Sequence, residues 1–311
     1  MSGVSSVSVR VPGTTANLGP GFDCIGAALT IYNTFEFSRL PASAETTLQV
    51  EVTGLEADRV ATDESNLVYK AFLKLYQHLG QTPPPIKLAI ALNVPLSRGL
   101  GSSATAIVGG LVGANALAGS LLSREQVMQL AIAIEGHPDN VVPALLGGCR
   151  LAAANTDQTW TICDVSWHPD IVPVVAIPNF DLPTAEARRV MPTEYSRTDA
   201  IFNIAHLGLL LRGLETAKPD WLSHALQDRI HHPYRQPLIH GYAAVEAAAL
   251  EAGAYGLVIS GAGPTLLALT PPEQTSAVAL ALSMAWSTQG IGVQTKVLEL
   301  DHSGAIAQIQ P

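Results

Sequence analysis

Charge is scarce in this chain: 14% of its 311 residues are Asp, Glu, Lys or Arg, and the balance is −9. With so few basic residues it lacks the basic face that general nucleic-acid binding or attachment to an acidic membrane requires. Cysteine is also rare. Cys24, Cys149 and Cys163 are too few and too widely spaced for a disulfide framework or a Cys-x-x-Cys metal site, which fits a reducing, cytoplasmic compartment. The first ten residues hold no basic region followed by an apolar block, so no secretory segment is expected. Long apolar runs are missing, with one partial exception. Residues 99–123 carry no charge and include Gly109-x-x-x-Gly113, the spacing of a membrane helix dimer. That stretch is rich in Ala and Gly rather than Leu and holds Asn115, which suits a helix buried closely against a sheet better than one in lipid. Internal repeats and low-complexity tails are absent.

What the chain has is apolar residues, 48%, enough for a large core in one or two domains. Val7, Val9 and Val11 alternate as a strand, and Pro12, Gly13, Gly19, Pro20 and Gly21 then predict an ordered, non-repetitive loop. Strands are predicted over 31–37, 48–52, 86–93 and 172–177, and in the 15 residues after Gly147–Gly148. Leu67, Ala71, Leu75 and Leu79 recur at helical spacing up to Gly80, and Ser123 with Gln126 forms a capping box. Residues 136–140 break that second helix. Residues 179–192 read as a polar, mobile segment, and Ser196 caps a long helix. Residues 256–269 read as strand, Gly turn, strand; a helix over 273–287 and a strand over 292–298 close the chain. Strands in groups with hairpins favour α+β, with mixed or antiparallel sheets and helices packed on one face. We place the first domain at 1–165 and the second at 166–311.

Residues 95–106 stand out. A strand of apolar alternation leads in, a small-residue helix leads out, and Gly99 and Gly101 free the backbone between them. Ser102 and Ser103 fall where the helix begins, and its free N–H groups and dipole suit an anion, phosphate above all. Gly99-x-Gly101-x-x-Ala104 loosely matches the dinucleotide fingerprint, but Pro95, Leu96, Ser97 and Arg98 intervene after the strand, and the region that should hold a second strand reads as helix. A P-loop is excluded because no Gly-Lys-Ser/Thr follows.

Two more glycine loops accompany it, over 11–23 and 260–266. In this order the three resemble the signature motifs of the GHMP small-molecule kinases, over nearly the whole chain. Thr14 and Thr15 stand where other members carry a Lys, and residues 17–23, 135–140 and 233–235 look like the homoserine kinase family. The resemblance implies a two-domain GHMP fold, ATP and Mg²⁺, phosphorylation of the L-homoserine hydroxyl in threonine biosynthesis, and a tendency to form a homodimer. Another kinase of a small alcohol, such as a mevalonate or isoprenoid type, is the alternative, as is a non-catalytic ligand-binding relative. By resemblance, Pro95, Leu96, Ser97, Arg98, Gly99, Leu100, Gly101, Ser102 and Ser103 cradle the phosphates, Gly261 and Gly263 let the third loop approach, and Asn66 meets the adenine or ribose. Ser103 and Glu135 are the expected magnesium ligands. The substrate carboxylate wants a guanidinium, from Arg235 and from Arg188 or Arg189, with Arg188 favoured. Its ammonium wants Asp23; Asn17 and His137 are expected at its hydroxyl or amino group. Asn17, Asn140 and Arg235 are expected at the reacting centre. Asn140 stands near where several members have an Asp base, and Asp139 is expected to point elsewhere, so no strong catalytic base is predicted.

Overall fold

The computed structural model describes residues 4–41 and 43–310; the first three residues of the N-terminal stretch read above lie outside them. In chain order the elements are β1 (Ser6–Ala16), β2 (Ile25–Arg39), β3 (Leu48–Gly54), α1 (Leu67–Leu79), β4 (Ile86–Leu92), α2 (Ser102–Leu117), α3 (Arg124–Glu135), α4 (Pro138–Leu146), β5 (Cys149–Ala154), β6 (Trp160–Val165) and β7 (Val172–Pro178). They continue as α5 (Thr184–Arg189), α6 (Arg197–Thr216), α7 (Pro219–Ala225), α8 (His232–Arg235), α9 (Tyr242–Glu251), β8 (Gly256–Ile259), β9 (Leu266–Thr270), α10 (Thr275–Ser287), β10 (Val293–Val297) and β11 (Ile306–Gln310).

Seven strands form a mixed sheet, running β11-β1-β2-β4-β3 with β5 and β6 branching from β2. The pair β3–β4 is parallel and the rest are antiparallel. The 15-residue β2 makes this possible, because its first residues pair with β5 and its last with β4. Helices α1 to α4 cover one face, over a core that includes Phe35, Phe37, Phe72, Leu88 and Leu111. Phe35 and Phe37 explain the glycines of α2. A methyl on Gly109 would meet the Phe35 ring at 2.3 Å, and one on Gly113 would meet Phe37 at 2.2 Å. The helix is therefore buried against the sheet, as its composition implies. Among the described residues no helix is long and apolar enough to cross a membrane.

The second sheet is four antiparallel strands, β10-β7-β9-β8. One face carries α9 and α10 around Trp286, and the other packs on α6, α7 and the start of β2 through Leu18, Leu29, Leu210 and Leu267. That shared core joins the two sheets.

Four local readings change. The expected loop after Val11 is strand as far as Ala16, with a bulge between Pro12 and Gly13, so only 17–24 is irregular. Residues 136–140 break α3 but at once start α4, with Pro138 at its first turn, where a missing N–H costs nothing. The 179–192 segment contains α5. Finally, β10 does not close the chain: β11 crosses back to pair with β1, so the last residues of the expected 166–311 unit belong to the first sheet.

Candidate active site

The three glycine loops meet. Thr14 N–H donates to Leu100 O at 3.0 Å and Gly261 N–H to Ala16 O at 3.1 Å. The Ser260 hydroxyl bonds Thr15 Oγ1 at 2.9 Å and Gly99 O at 2.7 Å, and Asn17 Nδ2 donates to Gly261 O at 2.8 Å. They surround a cavity of ≈ 410 Å³. Part of its wall is apolar (Val60, Leu67, Val68, Ile90, Leu92), and part is polar (Asn17, Asp23, His137, Asn140, Arg188, Arg235). Leu96, Ser97, Arg98, Gly99 and Gly101 of the 95–101 loop line the cavity; Leu96 N–H donates to Glu56 at 2.8 Å, and Gly101 lies against Thr14 and Asn140.

Gly101, at φ +68, precedes α2, and no side chain caps the helix. The first N–H groups of a 16-residue helix therefore point into the cavity beside Ser102 and Ser103. The Ser103 hydroxyl donates to Glu135 Oε2 at 3.0 Å. Burial pushes the Glu135 carboxyl above its ordinary pKa, against the opposing effects of His137 and Ser103. Two hard oxygen donors on facing helices suit Mg²⁺, which takes few protein ligands. Among the described residues no group of three or more His, Cys, Asp and Glu is placed to hold a metal ion, so these two oxygens stand without further protein ligands of those types.

Across the cavity, Asn17 and Asp23 both have positive φ, 73° and 56°, and Asn17 Oδ1 accepts the Asp23 N–H at 2.9 Å. The Asn17 amide thus sets the loop that presents Asp23. Asp23 pairs with Arg188 through two bonds of 3.0 Å. Arg235 is 2% exposed, with Nε on Ala187 O, Nη1 on Gly261 O, and the guanidinium 5.0 Å above the Phe22 ring. Among the described residues no carboxylate lies within ion-pair distance of it. Burial, and then the charge of Arg188, lower its pKa. It is a buried cation with donors to spare, facing a cavity.

His137 Nδ1 and Asp139 Oδ1 are 2.5 Å apart, so Asp139 does not point elsewhere as expected. It is buried and orients the ring, because His137 is the N-cap of α4 and Asp139 lies in its first turn. Burial would lower the His137 pKa, but the bond from Asp139 and the charges of Asp139 and Glu135 outweigh it, and the net shift is upward. A raised pKa in the folded state stabilises the fold below the ordinary value of 6.5. That contribution is lost as pH rises through the shifted pKa. Urea midpoints measured from pH 6 upward are expected to fall across that window, and His137→Gln to flatten the slope.

Other expected residues take different places. Arg98 is spent as a brace: its Nε donates to Pro178 O at 3.0 Å, Nη1 to Leu96 O at 3.0 Å, and its other contacts go to Glu56 and Asp181. It ties the phosphate loop to the second sheet and leaves one guanidinium hydrogen for a ligand. Asn66 caps α1, accepting from Val68 and Tyr69 and donating to Ala61 O, so a ligand would find one amide hydrogen left. Pro95, Leu100 and Gly263 stand behind the cavity wall, where Leu100 is core and Gly263 packs on Ile239 and Ile259. Arg188, and not its neighbour Arg189, pairs with Asp23. Sequence reasoning missed Asn33, whose amide accepts from Asn93 and Val94 N–H and donates to Thr105, fixing the approach to the phosphate loop. A lone Asn on the apolar face of Ile31, Phe35 and Phe37 was the available signal.

The chain matches the family descriptions "GHMP kinases N terminal domain" over residues 66–148 and "GHMP kinases C terminal" over 210–287. It is 68% identical to a homoserine kinase from Trichormus variabilis, covering 98% of this chain and 100% of that one. It is 62% identical to a homoserine kinase from Trichodesmium erythraeum, covering 98% and 99%. The crystal structure of a homoserine kinase from Cytophaga hutchinsonii superimposes with a TM-score of 0.88 at 27% identity, covering 98% of each chain. A mevalonate kinase from L. major shares the fold, with a TM-score of 0.70 at 17% identity, covering 92% and 94%. This chain belongs to the homoserine kinase family of the GHMP kinases.

Proposed function

We propose that the protein transfers the γ-phosphoryl group of ATP to the side-chain hydroxyl of L-homoserine, giving ADP and O-phospho-L-homoserine, in a reducing, cytoplasmic compartment that suits its three unpaired thiols. The observation that carries this reading is the pairing, in one cavity, of an uncapped helix N-terminus with a set of groups for a zwitterion: Asp23, Arg188 and the unpaired Arg235. The apolar wall near Asn66 suits a nucleoside base, and the N–H groups from Gly99 to Ser103 suit its phosphates.

The Asp23–Arg188 pair is 34% and 40% exposed at its side chains, so exchanging it for two ion pairs with a substrate is cheap. The substrate ammonium takes Asp23, and its carboxylate takes Arg235 with Arg188. Asn17 holds Asp23 in place, and His137, oriented by Asp139 and favoured in its protonated form, donates Nε2–H to the hydroxyl oxygen and so holds it without taking its proton. When bound, Mg²⁺ would be held by Ser103 and Glu135 and would neutralise phosphate charge.

The hydroxyl oxygen bonds to the γ-phosphorus while the bond to the bridging oxygen of ADP breaks, and the proton leaves with the transferred phosphoryl group. Neither neighbouring side chain is a free base: Asn140 accepts from Thr14 at 2.8 Å, and Asp139 is held by His137. Positioning and charge carry the reaction. Asp139→Asn is therefore expected to lower turnover by no more than about tenfold, below the ~10²–10⁴ of a lost general base. Glu135→Gln is expected to lower it further and to raise the Mg²⁺ concentration needed for half-maximal rate. Equal losses in the two variants, with folding intact, would mean that Asp139 is the base.

A coupled ADP-release assay against homoserine, mevalonate and sugars tests the substrate. Robust release with homoserine alone is expected. Release with another alcohol and none with homoserine would overturn the reading.

A further inference from the structure

Behind the substrate loop lies a buried polar cluster that no step above uses. The Asp228 side chain is 0% exposed. Its Oδ1 accepts from Asn203 Nδ2 at 2.6 Å and Ile230 N–H at 3.2 Å, and its Oδ2 accepts from the N–H groups of His231 and His232 at 2.7 Å each. The residues it gathers reach forward to the loop. Asn203 Nδ2 also donates to Pro20 O at 3.3 Å, and His231 Nε2 donates to Gly19 O at 2.9 Å. The His231 ring stacks on Phe22, with centroids 5.3 Å apart, and Phe22 in turn lies under Arg235.

His231 is fully buried, and burial, with His232 beside it, holds it neutral. A neutral ring has one proton, and a carbonyl can only accept, so that proton sits on Nε2. Its Nδ1 is left buried with no hydrogen-bond partner. A side chain chosen for packing alone would not carry that unsatisfied atom. The single donor to Gly19 O is what the imidazole adds over an apolar ring.

We propose that His231, together with Asn203 and gathered with it by Asp228, is a positioning residue: it fixes the carbonyls of Gly19 and Pro20 and so sets Phe22 and Asp23 against the substrate. The inference rests on the homoserine reading above. It acts on one substrate only, because the loop of residues 17–23 faces the polar region of the cavity and the nucleotide loop is held by other bonds.

His231→Phe tests it. The phenyl ring keeps the stack on Phe22 and removes both the donor and the unsatisfied Nδ1. The KM for homoserine is expected to rise about tenfold, the effect of one lost hydrogen bond felt at the substrate. The KM for ATP is expected to stay unchanged within error, and the unfolding midpoint to stay at or above its original value. Asn203→Ala, which leaves the backbone bonds to Asp228 intact, is expected to move the homoserine KM in the same direction. An unchanged homoserine KM in both variants would overturn the inference, as would a parallel rise in both KM values with a lower unfolding midpoint. If the unaltered protein does not phosphorylate homoserine, the functional reading has failed and takes this inference with it. If it does, the variants decide the inference alone.

Discussion

Gly99→Ala is expected to remove nearly all turnover. Gly99 has φ +75, and a Cβ there would lie 2.2 Å from Ser260 O and 3.0 Å from Gly263 N. The colliding atoms are backbone, so no side chain can swing away. Relief requires the third loop to separate from the phosphate loop, breaking the Ser260 bond to Gly99 O. A displacement on the order of 1 Å in a positioning loop costs about 100-fold or more in rate. Both substrates should lose kcat/KM, since the same contact also closes on Asn17 through Gly261. Gly80→Ala is the control. Gly80 has a similar φ of +64 at the end of α1, but nothing lies within 4 Å of its Cβ. It should lose about 1–2 kcal/mol of stability from the left-handed backbone alone and keep its activity. Steady-state kinetics and urea midpoints on the pair separate loop contact from backbone strain.

Arg235→Met is expected to part activity from stability in the opposite sense. The guanidinium is buried without a carboxylate partner, and an uncompensated buried charge costs stability. Methionine keeps much of the stem and removes that charge, so the ligand-free protein should unfold no more easily than the original. The substrate carboxylate then loses its fork of donors. A buried ion pair deprived of one partner costs about 2–5 kcal/mol, which is a loss of at least about 30-fold in kcat/KM for homoserine. Lysine at this position restores the charge but not the planar fork, and should recover only part of the loss. A fall in stability with little change in homoserine kinetics would make Arg235 a packing residue and move carboxylate recognition to Arg188.

Periodicity and capping made most of the fold legible. The alternation of 86–92, the helical spacing from Leu67 to Leu79 and the Ser123 capping box all lie where expected. What failed to show was set by distant partners. β11 has a weak pattern of its own and exists because β1 has a free edge. The strand after Val11 continues through Pro12 and Gly13 because a bulge absorbs them against β2. The candidate site divides in the same way. Glycine and serine at a strand-to-helix junction announce an anion site by residue type. Arg98 looked available for phosphate because its carboxylate partners, Glu56 and Asp181, are remote in the chain and only the fold brings them to it. Asp139 was expected to point elsewhere, yet the first turn of α4 folds its carboxylate back onto His137. The unpaired state of Arg235 likewise needed three dimensions.

The most direct test is a crystal structure of the protein with ADP and L-homoserine bound. The account expects the diphosphate against the N–H groups of Gly99 to Ser103, the homoserine carboxylate on Arg235, and its ammonium on Asp23, with the Asp23–Arg188 pair opened. Homoserine bound away from Asp23 and Arg235, or a diphosphate away from the start of α2, would contradict it.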